Sequence, residues 1–238
     1  MSDKPILFSK PMVLALLGGT KTQTRRTLNP QPNMLNGGLP MNDGRGSYST
    51  EAGWKKYRIR AGDRLWVKET SRVTSWSEDG EVWITYGADE MRSRALQPDD
   101  EDYLERLCAR VERAGAETND AGWYDNIPPG ALVKPSIFMP RWASRITLHV
   151  TEARVQRLQD ISEDDARAEG CDATSCANVL APANGFPSFR SAYAILWDAI
   201  NGDGAWATNP WVAAYTFTVE RVNIAKARIP DIQIKGAA

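Results

Sequence analysis

A chain of 238 residues, 42% of them hydrophobic and 25% charged, is long enough to bury a sizeable core in one large domain. Its longest apolar run, Met12–Leu17, is far too short to cross a bilayer, and Met1–Lys10 lacks the order of a secretory leader, so a soluble cytoplasmic protein is expected. A formal net charge of −1 excludes polyanion binding through bulk charge. The distribution is uneven, with thirteen Lys or Arg against five Asp or Glu in residues 1–72 and five against fourteen in residues 73–130, so any nucleic-acid contact falls to the first third.

In chain order, Pro11–Leu17 reads as a short helix, because Pro11 suits a first helical turn and Gly18-Gly19 suits a stop. It delivers Lys21-Thr22-Gln23-Thr24-Arg25-Arg26, a cluster of cations and hydroxyls that is either a solvated turn or a site. Asn29–Ser49, rich in Pro, Asn and Gly, reads as a long loop within an insertion spanning 29–54. Lys56–Arg60 alternates as a strand, Ala61-Gly62-Asp63 turns, and Arg64–Glu69 alternates again. That second run puts Leu65 and Val67 on one face and Arg64, Trp66 and Lys68 on the other. Trp66 between two cations is a stacking platform for a base or, the preferred reading, an amphipathic strand edge.

Glu81–Tyr86 is a further strand, and Leu104, Leu107, Cys108 and Val111 recur at helical spacing behind the acidic run Asp99–Asp102. With the loop Thr118–Pro135 this makes 75–135 an insertion, whose acidic run suits a helix N-terminus or folds across the basic face. Ser144–Leu158 is a long strand or a bent pair. Its His149, the one histidine of the chain, points opposite Ile146, Leu148 and Val150 to a solvated position, which argues against a histidine-based catalyst or metal site. Cys108, Cys171 and Cys176 match no zinc spacing, and neither metal nor cofactor is expected. Ser162-Glu163-Asp164-Asp165 fits a capping box opening a helix that Gly170 closes. A second helix from Ser188 shows Phe189, Ala192, Tyr193, Leu196 and Ile200 on one apolar face and ends at Asn201-Gly202. Trp211–Val219 is the clearest strand, and 223–238 reads as a poorly ordered tail.

Strands outnumber short, interspersed helices, so the expected fold is α+β: one domain over 1–222 on a small, curved or barrel-like sheet. The pattern Gly19-x-Lys21-x-x-Thr24-x-Arg26 resembles the GxKxxExR signature of the ASCH domain, a PUA-like β-barrel family associated with RNA, with Thr24 standing where many members carry Glu. Gly62–Val67 is similar to the family's GD-x-L-x-V strand, and Leu158–Glu169 to its strand-to-helix segment. Lys4–Phe8 and Met139–Ala143 also resemble a phage or prophage subgroup, which implies the cytoplasm of a bacterial host.

Lys21-Thr22-Gln23-Thr24-Arg25-Arg26 resembles the Lys-Thr-x-Thr-x-Arg motif of the N4-acetylcytidine amidohydrolases. That resemblance implies Thr24 as nucleophile, Lys21 as its base and Glu169 completing the site; the substrate contacts expected around them are Thr22, Arg25, Arg26, Arg64 and Trp66. The expected substrate is a modified nucleoside or RNA. The alternatives are a non-enzymatic RNA or single-strand binder using Lys21, Arg25, Arg26, Arg58, Arg60 and Trp66, or an ASCH-type ribonuclease. Chemically, a threonine hydroxyl needs a base, and a neutral lysine amine is the remaining candidate. In a regular strand Lys21 and Thr24 would point to opposite faces, so irregular backbone is required at Thr20–Thr22.

Overall fold

A computed structural model describes residues 2–32, 47–50, 53–56, 58–119, 124–171 and 188–228. The strands are β1 (Asp3–Leu7), β2 (Gln23–Thr27), β3 (Ser47–Thr50), β4 (Gly53–Lys56), β5 (Arg64–Lys68), β6 (Ser71–Trp76) and β7 (Val82–Tyr86). They continue with β8 (Glu117–Thr118), β9 (Tyr124–Asp125), β10 (Val133–Lys134), β11 (Thr147–Arg157) and β12 (Trp211–Glu220). The helices are α1 (Lys10–Gly18), α2 (Tyr103–Arg113), α3 (Glu163–Ala168) and α4 (Phe189–Asn201).

Alternation in β5 and β12 builds the main sheet, ordered β1-β5-β11-β12-β2, with β1 parallel to β5 and the other pairs antiparallel. Its inner face buries Leu65, Val67, Leu148, Val150, Tyr215 and Phe217 against Val13 and Leu16 of α1. On the outer face, Val212 packs with Leu158, Ala166, Tyr193 and Trp197 under α3 and α4. Being covered on both sides, β12 is buried from Trp211 to Tyr215.

A bulge between Val150 and Glu152 of β11 bends the sheet. Its two outer strands then approach each other: Arg26 of β2 donates from Nη2 to the carbonyl of Leu7 in β1 at 2.7 Å. The architecture is α+β with a curved sheet. Among the described residues no ladder joins β1 to β2, so the sheet is open and not a closed barrel.

The insertion expected at 75–135 is larger and has a core of its own. Strands β10, β6 and β7 form a second sheet, and Val73, Ile84, Tyr103, Leu107, Met139 and Trp142 pack beneath it, so the module runs from 71 to 143. The Arg145 guanidinium fastens it to the main sheet, reaching Glu69 at 2.8 and 2.9 Å and Asp89 at 2.9 Å while lying 4.0 Å from the Tyr86 ring centroid.

Several expectations need correction. The strand placed at Lys56–Arg60 is instead β4, ending at Lys56 and paired with β3, so the expected loop ends in a hairpin; residues 33–46 of it lie outside the described residues. Trp66 is not on a sheet edge, since β5 lies between β1 and β11. His149 is 5% exposed, with Nε2 2.8 Å from Glu220 Oε2, because the chain beyond β12 folds back over this face. Ile224 is fully buried, Thr147 donates to the Val222 carbonyl and Arg64 to that of Ala227. The tail is therefore packed through Ala227, and 229–238 lie outside the described residues, as does Cys176. In α4, Ile200 is exposed and Trp197 takes the buried place. The acidic run does not cross the basic face: Asp100 and Asp102 pair with Arg106 of their own module. Among the described residues no helix is long and apolar enough to cross a membrane.

Candidate active site

The site grows from the way α1 ends. Gly19 adopts the left-handed conformation at φ 75°, and the amides of Thr20 and Lys21 both donate to the Ala15 carbonyl. Regular strand geometry begins only at Gln23. Between them, Lys21 forms an isolated antiparallel bridge with Glu169, and the Thr22 amide donates to Ala168 at 2.8 Å. The irregular backbone expected at Thr20–Thr22 is present, and it leaves Lys21 on the side of Arg25, both donating to Glu169.

Glu169 is the residue after α3, brought to that bridge by a helix whose Ser162 hydroxyl accepts from the Asp165 amide at 3.1 Å. Gly170 follows at φ 82°, and a Cβ there would stand 3.0 Å from Ala15 Cβ and 3.1 Å from Lys21 Cβ. Only glycine lets α3 end so close to α1 and Lys21.

One carboxylate then holds two cations. Lys21 Nζ donates to Glu169 Oε2 and to the Glu169 carbonyl, both at 2.8 Å, and Arg25 Nη1 donates to Glu169 Oε1 at 2.9 Å. All three side chains are almost completely buried. Arg25 continues to Asp165 through Nη2 at 2.7 Å, and Asp165 also pairs with Arg154 and accepts from Gln23 at 2.9 Å. Burial alone would raise the Asp165 pKa, but these hydrogen bonds and the charges of Arg154 and Arg25 hold it below the ordinary carboxylate value.

Gln23 and Arg25 face outward with this network, while Thr24 and Arg26, paired with Tyr215 and Ala213, face inward. Because β2 is the sheet's last strand, both sets meet along its free edge. They line a cleft of about 160 Å³ with Phe8, Tyr193, Leu196 and Trp197. Phe8 marks the meeting point: Lys21 Nζ lies 5.6 Å and the Arg26 guanidinium carbon 5.3 Å from its ring centroid. The Thr24 hydroxyl has no hydrogen bond among the described residues. Burial, reinforced by Glu169, raises Tyr193 well above the usual phenol range, so its hydroxyl stays protonated as a neutral donor.

Lys21, Arg25 and Arg26 stand in the lining against Glu169, and even with Asp165 behind Arg25 the balance is positive. Arg26 is partly exposed at the rim, and the surrounding protein lowers its pKa while Glu169 opposes this; a guanidinium starts so high that it stays charged. A neighbouring cleft of about 540 Å³ shares Leu7, Arg26, Thr27 and Asn201 with the first.

The structure thus brings together Lys21, Thr24, Glu169, Arg25 and Arg26 of the residues expected from sequence. Thr22 is exposed and outside the lining. Arg64 and Trp66 are elsewhere: Arg64 is engaged by Asp3 at 2.8 and 2.9 Å, and Trp66 lies under Lys68, 5.3 Å from its centroid. Sequence reasoning missed Phe8, Gln23, Asp165 and Tyr193. The parity of Lys21, Gln23 and Arg25 was a signal for Gln23, whereas the others depend on long-range packing. Among the described residues no group of three or more His, Cys, Asp and Glu is placed to hold a metal. No family model, curated relative or solved structure matches the chain.

Proposed function

We propose that this chain is an ASCH-type hydrolase, with a PUA-like relation of its curved sheet, that removes an acyl group from the exocyclic amine of an N4-acylated cytidine. The observation that carries the reading is the convergence of Lys21, Thr24 and Glu169 on one cleft, with the Thr24 hydroxyl free of hydrogen bonds among the described residues. Lys21 is bonded to Glu169 rather than to Thr24, so it acts as a base only after passing a proton to that carboxylate within the pair. Apo sites commonly hold such contacts long and tighten them on binding.

In the reaction, Thr24 Oγ1 bonds to the acyl carbon as its proton passes to Lys21. The carbonyl oxygen takes up the negative charge beside the positive lining. The C–N bond then breaks, the proton goes to the departing amine, and water attacks the acyl-threonine to release the acid and restore Thr24. At about 160 Å³ the cleft is below the roughly 300–1,000 Å³ usual for larger ligands, which favours a base and its short acyl group.

The binding-module reading is weaker, because Lys21 and Arg25 are buried in ion pairs and release no counterions to a polyanion. The test is incubation with N4-acetylcytidine, following cytidine by chromatography. Turnover that disappears in Thr24→Ala supports the assignment. An inactive wild-type protein, or undiminished turnover in Thr24→Ala, sinks it; a steep salt dependence of RNA affinity with no turnover would favour the binder.

A further inference from the structure

The module of residues 71–143 contains a recess of its own, of about 230 Å³, between the first turns of α2 and strand β10. Its cations are Arg106, Arg110 and Lys134, and they are not equally engaged. Arg106 is neutralised by Asp100 and Asp102. Arg110 uses Nη2 to donate to the Val133 carbonyl at 2.7 Å, which leaves the rest of its fork available and fixes the backbone next to Lys134. Lys134 has no ion-pair partner among the described residues and sits over the Tyr103 ring, 4.8 Å from the centroid.

Two cations therefore share a recess in which the nearest carboxylate, Asp100, is committed to a third. Burial lowers the Lys134 pKa and the charges of Arg110 and Arg106 lower it further, while the charge of Asp100 opposes them. The surroundings make this pair unusual, because residues 73–130 carry fourteen acidic residues against five basic ones. The cations are thus gathered locally and are not part of a generally basic surface. Tyr103 and Trp142, edge-on with centroids 5.0 Å apart, form an aromatic wall beside them. Asp99 is an exposed carboxylate at the rim and opposes an anion.

We propose that this recess binds a small phosphate oxyanion, either free phosphate or the phosphoryl group of a monoester, between Lys134 and Arg110. The Arg110 fork and the Lys134 ammonium supply charge-assisted donors from two directions, and Tyr103 and Trp142 leave an apolar wall for the organic part of an ester. The assignment is independent of the chemistry at Thr24.

Calorimetric titration of the full chain at low ionic strength tests it, with inorganic phosphate, cytidine 5′-monophosphate and uncharged cytidine as probes. Phosphate and the monophosphate are expected to bind, and Lys134→Met, which keeps an apolar stem over Tyr103, to weaken both by about tenfold or more. Tighter binding of the monophosphate than of phosphate identifies an ester as the ligand, and the reverse identifies the free ion. Asp99→Asn, an exposed substitution, is expected to tighten both. Undetectable binding of both anions at millimolar concentration, or unchanged affinity in Lys134→Met, overturns the proposal. Should Lys134→Met fail to fold, unchanged affinity in Asp99→Asn overturns it equally. Cytidine binding that Lys134→Met weakens as much as it weakens the monophosphate shows recognition at this recess without the phosphate and has the same consequence.

Discussion

Glu169 is the residue on which the buried charges depend, since it is the one carboxylate that Lys21 and Arg25 share. Glu169→Gln leaves the buried Lys21 without its carboxylate and Arg25 with Asp165 alone, and breaking such an arrangement costs about 3–5 kcal/mol. Denaturant unfolding is expected to show a lowered midpoint of that size with an unchanged slope. Thr24→Ala isolates chemistry from stability. The hydroxyl has no partner to lose among the described residues, so unfolding should shift by about 1 kcal/mol or less, while deacylation falls by at least about 10³-fold.

Asp165 sets an acid limit. Its pKa is lower in the folded protein than the ordinary value of about 3.9, so its contribution to stability is complete above that value and disappears as the pH falls through the folded pKa. Unfolding free energies measured from pH 7 down to pH 3 should decline at the acid end. Asp165→Asn should be less stable near neutrality and show a flatter decline.

At the scale of elements, local chemistry was legible and partnership was not. The proline and glycines around α1 and the Ser162 cap of α3 each announce an end in a few residues, and both ends are found where the residues imply. Glycine also yields a contrast. Gly170→Ala places a side chain in the left-handed region and against Lys21, for a cost of about 1–3 kcal/mol, and should lower turnover by displacing the backbone that carries the amine. Gly18→Ala, in helical conformation with open space around its Cβ position, should be neutral or slightly stabilising. Thermal unfolding of the pair checks both.

What could not be read from period alone is which face a neighbour covers. His149 alternates as a solvated residue, yet residues 222–227 return to cover its face. Ile200 fits the apolar stripe of α4, but it stands in the lining of the open cleft beside Trp197 and stays exposed. Thr24 and Lys21 were legible as candidates from their motif. Their meeting depends on β2 being the last strand of the sheet, a fact of topology stated by no residue in the motif.

At the scale of the whole molecule, two cores are joined by polar contacts from several elements, among them Arg141 with Asp3 and Lys68 with the Ile137 carbonyl. Beside the Arg145 clamp, Asn223 Nδ2 reaches the carbonyls of Arg141, Trp142 and Ser144 at 3.0, 3.0 and 2.7 Å. Removing this amide leaves two partly buried carbonyls short of a donor, worth about 1 kcal/mol. Asn223→Ala should therefore accelerate hydrogen exchange in the module of residues 71–143 more than in β11 and β12.

The seam between β1 and β2 has a mechanical consequence. A ladder of backbone bonds resists parting along its whole length, whereas a single guanidinium resists only at its own position, and here that guanidinium belongs to Arg26. Arg26 lines both clefts together with Leu7, Thr27 and Asn201, so the side chain that draws the sheet's ends together also stands on the boundary between two compartments. Swinging it aside would convert them into one trough while the hydrogen bonds of β2 to β12 stayed in place. A change of rotamer at one arginine would then alter the passage between the compartments, and the sheet itself need not move.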